Sequence, residues 1–443
     1  MKHNRLSFIV VTFSVFILLL CTAGYAEGQD GEKKLTNKPA RNEQFMDWGL
    51  GLFIHWSVDS QLGSVISHSM VGASDEYLDR FINELPRSFN PQEYDPHEWM
   101  QIARLAGVKY VVFTAKHHSG FCMWDTDTTD FSITNTPYGK DIVRQYVDAC
   151  REAGLKVGFY FSPDDFHFLH KQGQLIRRKA PYSYVKNNAE LRRYDMKQVE
   201  ELFTEYGPID VCFIDGSGAD ALVQQIHRLQ PKCLVTRGEM PTPEQKIPEP
   251  MPGPWESCFT MGTQWHYKPT NEDYKSGMKL IEMLIETRAK GGNLLMNMGP
   301  KPDGSIPFEQ ERRLRELALW MFVNDESIHG IRPCPQMREG DLWFTRKSDT
   351  AYVFLMGEEN WSLGERREFE IESLRATAET KISVLGQNSQ VLEYHPEANP
   401  EPRFSQNGEV LEISVVRAQR LYNNRKWPNP VVVKLTNVEF VKD

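Results

Sequence analysis

Between Asp47 and Pro335, short apolar runs alternate with longer amphipathic stretches, and this alternation limits the fold more than any other feature of the chain. Leu50–His55, Tyr110–Thr114, Lys156–Phe161, Asp210–Ile214, Cys233–Val235, Ser257–Thr260 and Asn293–Met298 have the composition of buried parallel strands. Pro96–Ala106, Asp141–Ala153, Ala189–Tyr206, Asp273–Ala289 and Phe308–Phe322 repeat their apolar residues at helical spacing. In the second of these the stripe is Ile142, Val143, Tyr146, Val147 and Cys150. Strand and helix alternating over roughly 300 residues imply a parallel sheet with helices outside it, most economically a TIM-like (β/α) barrel. The segment Ser57–Asn90 is long for a plain connection and is expected to decorate the active face. After Glu339 the character changes to short strands separated by Gly, Asn, Pro and charged residues, which reads as an antiparallel β-sandwich. Residues 46–338 are therefore expected to form the barrel and 339–443 the sandwich.

The first 26 residues read as a secretory signal peptide. Lys2 and Arg5 precede the apolar Leu6–Leu20, and Gly24-Tyr25-Ala26 offers small residues at a cleavage site. The apolar core is too short for a membrane span. Cys21 hints at a lipoprotein signal, but the large Leu20 before it favours a soluble exported protein, periplasmic or extracellular. Residues 27–45 are expected to be a polar tether. Of seven cysteines, the six that follow Cys21 are scattered without a CxxC pair, so they indicate buried thiols and neither a zinc ribbon nor a disulfide framework. Loss of Lys2 and Arg5 takes the net charge from −9 to −11, which argues against nucleic acid as a partner.

Polar and aromatic residues gather where the strands end, and in an α/β barrel that is the active face. Val211-Cys212-Phe213-Ile214 runs straight into Asp215, followed by Gly216 and Gly218. His55-Trp56 ends the first strand, Lys116-His117-His118 the second and Tyr160-Phe161-Ser162 the third. Arg237 follows the fifth, and Trp255-Glu256 opens the sixth. Aromatic faces, imidazoles and two carboxylates around one mouth suit a sugar. The rings cover the apolar side of a pyranose while His and Arg hydrogen-bond its hydroxyls.

GLFIHW, KHHSGFCMW, GFYFS, CFIDG, PWESC and KGGNLLMNMGPKPDGSI together resemble the signatures of the α-L-fucosidases of glycoside hydrolase family 29, in the same order and over Asp47–Ser327. The resemblance implies a retaining exo-glycosidase needing no cofactor and no metal. Its substrate would be a fucosylated oligosaccharide or glycoconjugate. Asp215 matches the nucleophile and Glu256 the general acid/base. His55, His117, His118, Tyr160 and Arg237 match residues that hold the sugar. Trp124 and Trp265 would wall the pocket, with Glu76 as a rival carboxylate. The strand-six Glu256 points to the branch that prefers α1,3/4-linked fucose. Ser119 and Phe161 depart from the commonest family pattern.

Other readings stay open on the sequence. Asp215 could cap a helix, His55 could be a core histidine, Arg237 a structural ion-pair partner, and the His117–His118 pair a metal site. A relative acting on α-L-galactosides, or an inactive glycan-binding protein, would share most of these motifs. The sequence does not indicate an oligomeric state.

Overall fold

The computed structural model describes residues 34–357, 360–421 and 427–441. The expected signal peptide lies outside the described residues. Seven parallel strands form the N-terminal sheet: β1 (Leu50–Ile54), β2 (Tyr110–Lys116), β3 (Lys156–Phe161), β4 (Val211–Ile214), β5 (Leu234–Val235), β6 (Glu256–Thr260) and β7 (Asn293–Met298). Their order is β5-β4-β3-β2-β1-β7-β6, so the sheet curls toward a barrel with β5 and β6 as its two edges. The longer helices are α1 (Pro39–Trp48), α2 (Pro96–Leu105), α3 (Ile142–Glu152), α4 (Ala189–Thr204), α5 (Asp220–Leu229), α6 (Gly277–Ala289) and α7 (Phe308–Asn324), and α2 to α6 lie between successive strands of this sheet. Every strand from β1 to β7 is buried along its length except the first residue of β3. That is why each reads as a continuous apolar run and not as an alternation.

The two edge strands are joined by an irregular seam and not by a regular ladder. After β5 the chain turns back on itself, and Pro241–Gln245 runs beside β6. The amides of Glu256 and Cys258 donate to the carbonyls of Pro241 (3.2 Å) and Pro243 (3.1 Å), and the Gln245 amide donates to the Cys258 carbonyl (3.0 Å). Pro241 and Pro243 cannot donate hydrogen bonds of their own, which suits an edge that only has to accept them.

Residues 37–45 are not a loose tether, contrary to the expectation from their polarity. Asn37 bonds through its side chain to both polar groups of the Val235 backbone. Pro39 starts α1, where its missing amide costs nothing. Phe45 on that helix is fully buried under the barrel, against Tyr110 at 5.5 Å.

The C-terminal strands form two antiparallel sheets, β12-β15-β10-β9-β8 and β11-β14-β13. Here β8 is Arg332–Glu339, β9 Leu342–Lys347, β10 Thr350–Leu355, β11 Arg366–Ile371, β12 Leu374–Val384, β13 Arg403–Asn407, β14 Val410–Val416 and β15 Val431–Phe440. The strand running up to Glu339 already belongs to this region. Between the sheets lies a separate apolar core built on residues such as Phe344, Val353, Leu411 and Val433. The barrel meets this region through α6, which packs on β8 and β9, and through α7, where the Trp320 indole donates to the Pro430 carbonyl (2.8 Å) and its ring stacks with Phe354. No described helix is long and apolar enough to cross a membrane.

Candidate active site

Asp215 stands one residue beyond the end of β4, its amide donating to the Phe161 carbonyl of β3 (3.1 Å). Gly216 follows because a side chain there would begin 2.3 Å from the Pro163 ring. Oδ1 of Asp215 accepts from Arg237 Nη1 at 2.8 Å and Oδ2 from the Tyr160 hydroxyl at 2.8 Å. Burial raises the pKa of this carboxyl. The neighbouring His118 and Arg237, with hydrogen bonds from Arg237 and Tyr160, outweigh burial and hold it at about 2. His118 is itself pushed by burial to about 3, so near neutrality Arg237 is the group whose charge keeps Asp215 ionised.

Arg237 is the centre of this clamp. Its Nε donates to Thr242 Oγ1 (3.1 Å), its Nη2 to the Thr242 carbonyl (3.3 Å) and to Glu244 Oε2 (3.4 Å), and the guanidinium lies over the Phe213 ring. One guanidinium therefore holds two carboxylates, Asp215 at the end of β4 and Glu244 on the seam. Glu244 is 45% exposed and Asp215 22%, so both reach solvent.

His55, His117 and His118 come together beside this clamp, with His118 Nε2 3.6 Å from Asp215 Oδ2. His117 stacks on Tyr160 with ring centroids 5.0 Å apart and planes 8° from parallel, and lies 5.6 Å from His55. Two adjacent histidines share one side because β2 has ended at Lys116. The fully buried ammonium of Lys116 anchors that end to Asp165 (3.2 Å), Asp195 (2.8 Å) and Gln198 (2.7 Å). Trp265 sits against His55 with ring centroids 5.0 Å apart. Phe161 turns the other way, its ring against the Lys116 ammonium, so its departure from the family pattern falls outside the pocket.

Glu256 is not at the mouth. It is the first residue of β6, in register with the first residue of β7, and is fully enclosed in the barrel floor. Its Oε2 accepts from the hydroxyl of Tyr110 (2.8 Å), which opens β2. A group that delivers a proton to a leaving oxygen must reach the substrate, and Glu256 is sealed from it. Burial raises its pKa to about 7, against hydrogen bonds from Thr236 and Tyr110 and the charge of Arg237. A raised carboxyl pKa means that folding favours the neutral form. Stability is therefore lost as pH rises from the unfolded value of 4.5 through 7, by roughly 3 kcal/mol in total. Glu256→Gln is expected to keep activity within a few-fold of wild type and to flatten that alkaline loss in urea titrations. A collapse of activity with an intact fold would return Glu256 to the chemistry.

Two further expectations are corrected. Trp124 does not wall the pocket. It is fully buried, and its indole donates to Glu201 on α4 (2.9 Å). Glu76 is exposed on the short helix Asp75–Asp79 and, among the described residues, bonds to none of these groups. No group of three or more described His, Cys, Asp or Glu is arranged to hold a metal ion. The six described cysteines are all free and buried.

A curled parallel barrel with a charge-clamped carboxylate, imidazoles and an indole at its C-terminal mouth is the architecture of a glycoside hydrolase. The family model for alpha-L-fucosidase matches residues 22–326, and the chain belongs to that family. Rat plasma alpha-L-fucosidase is 28% identical over 383 residues, covering 76% of this chain and 81% of the relative. Alpha-L-fucosidase isoenzyme 1 from Paenibacillus thiaminolyticus superposes with a TM-score of 0.71 at 28% identity, covering 90% of this chain and 99% of its own. The Thermotoga maritima alpha-fucosidase, solved in complex with a mechanism based inhibitor, gives 0.70 at 27% identity, covering 89% and 96%.

Proposed function

We propose that the chain is an exported, exo-acting, retaining α-L-fucosidase in which Asp215 is the nucleophile and Glu244 the general acid/base. The observation that carries this reading is the shared guanidinium. Arg237 binds Asp215 through Nη1 and Glu244 through Nη2, which brings two carboxylates from distant stretches to one pocket wall. Retention calls for a separation of about 5–5.5 Å, within reach of two groups on neighbouring nitrogens of one side chain.

In the first step Asp215 Oδ attacks the anomeric carbon while the bond to the leaving oxygen breaks and Glu244 gives that oxygen its proton. In the second, Glu244 takes a proton from water, the water oxygen bonds to the anomeric carbon, and the Asp215 ester bond breaks. Two inversions leave the configuration unchanged. Conversion of Asp215 to an ester removes its charge and leaves Arg237 facing Glu244 alone. The imidazoles and Trp265 supply hydrogen bonds and an aromatic face to the sugar.

The α1,3/4 preference was tied to Glu256 lying at the mouth, and a residue in the barrel floor lends it no support. Linkage is tested by incubation with a panel of fucosylated oligosaccharides and an α-L-galactoside, reading released sugar for each. Fucose released from chain ends, with retained configuration and undiminished by chelator, is the expected result. Release of galactose alone, or of nothing, would overturn the substrate assignment.

A further inference from the structure

Two of the pocket histidines have one ring nitrogen committed to a backing residue, and the hydrogen-bond partners decide which nitrogen carries the hydrogen. Asn297, at the end of β7, is buried. Its Nδ2 donates to the Trp265 carbonyl. A carbonyl can only accept, so the amide cannot be flipped, and its Oδ1 is the atom 2.6 Å from His55 Nδ1. An amide oxygen also only accepts, so His55 Nδ1 carries the hydrogen. Ser162 repeats the logic below His118. Its single hydroxyl hydrogen goes to the Asp164 carbonyl at 2.7 Å, which leaves an oxygen lone pair facing His118 Nδ1 at 2.5 Å. That nitrogen carries a hydrogen too.

We propose that Asn297 and Ser162 are positioning residues that set the hydrogen-bond polarity of the sugar pocket, holding His55 and His118 as neutral Nδ1–H tautomers whose Nε2 lone pairs face the substrate. The proposal rests on the fucosidase reading for what fills the pocket. Burial pushes both imidazoles to about 3, so neither takes a second proton near neutrality. The charged and titratable groups facing His55 are Asp215, His117, His118 and His266, and those facing His118 are Asp215, His68, His117, Lys116 and Arg178.

The consequence is a pocket wall that accepts and does not donate. His118 Nε2 is buried without a protein partner and lies 3.6 Å from Asp215 Oδ2, one acceptor facing another. A sugar hydroxyl entering that gap supplies the missing hydrogen. The opposite tautomer would instead donate to Asp215 and tie up the lone pair needed at the anomeric carbon. Sugars with fluorine or methoxy in place of the hydroxyls that face His55 and His118 should therefore bind poorly, because neither group can donate.

The test has one arm independent of activity. In the full chain labelled with 15N-histidine, long-range 1H–15N spectra assigned with His55→Gln and His118→Gln should show protonated Nδ1 and unprotonated Nε2 for both rings, unchanged from pH 5 to 8. The second arm is Asn297→Asp. A carboxylate on His55 Nδ1 favours the doubly protonated ring, which turns Nε2 from acceptor into donor. Against an aryl fucoside, kcat/KM should fall at least ten-fold at the acid end and recover as pH rises through the new His55 pKa. Asn297→Ala should lower it evenly at all pH values. A hydrogen on Nε2 of either ring in the wild type, or parallel pH profiles for the Asp and Ala variants, would overturn the proposal. If the wild type hydrolyses no fucoside, the substrate assignment fails while the tautomer spectra still decide this one.

Discussion

Asp215→Asn is expected to lower turnover of an aryl fucoside by about 10⁴–10⁶-fold, the scale seen when a covalent nucleophile is removed. The geometry explains why a change of one atom should matter so much. Arg237 and Tyr160 each give Asp215 a hydrogen bond at 2.8 Å, and together with His118 they hold it at about pH 2 despite burial. This depressed pKa makes Asp215 a stabilising carboxylate above its unfolded value of 3.8, with that stability lost as pH falls through 2. The amide variant should lack this part of the acid dependence, so stability against pH separates loss of the charge from loss of the fold. A variant that folds and retains more than about a tenth of wild-type turnover would remove Asp215 from the nucleophile role.

Glu244→Ala should be the second most damaging change, about 10²–10⁴-fold on a natural oligosaccharide. The loss should be much smaller in the first step for a fucoside with a good leaving group, because such a group departs without a proton. The second step still needs a base, and azide should replace it. Azide attacks the anomeric carbon directly and yields a fucosyl azide of the same configuration as the substrate. Rescue in Glu244→Ala and none in Glu256→Ala would separate the mouth carboxylate from the floor one. The reverse pattern would discard the seam residue as the acid.

Much of the barrel was legible because a strand buried on both faces must be apolar throughout. Lys156–Phe161 and Asn293–Met298 are read with both ends correct, and Asp215 was found as the acid that follows such a run. The error over Glu256 has a physical reading. An acid placed before a parallel strand lies on the floor of a barrel, and one placed after it lies at the mouth. Glu256 precedes Ser257–Thr260, so strand direction already spoke against it. Glu244 had no such signal. It lies in a proline-rich stretch, Pro241 to Pro254, with no strand or helix period. The role proposed for it rests on the pairing of that stretch with β6 and on the guanidinium it shares. Trp124 misled because a tryptophan within a motif resembles a ligand wall. Its indole is satisfied by Glu201, a partner 77 positions away that no local pattern reveals. The polar sequence of α1 concealed a helix whose one buried side chain is Phe45.

The seam between β5 and β6 gives the two carboxylates proposed as nucleophile and acid/base supports of unequal stiffness. Asp215 rides on a strand zipped to neighbours on both sides, while Glu244 rides on a strip held by a handful of backbone bonds along one edge. On that assignment, insertions or exchanges in that strip would re-aim the proton donor toward leaving groups of different bulk without loosening the grip on the sugar ring. Aglycone preference would then be mechanically decoupled from the choice of monosaccharide.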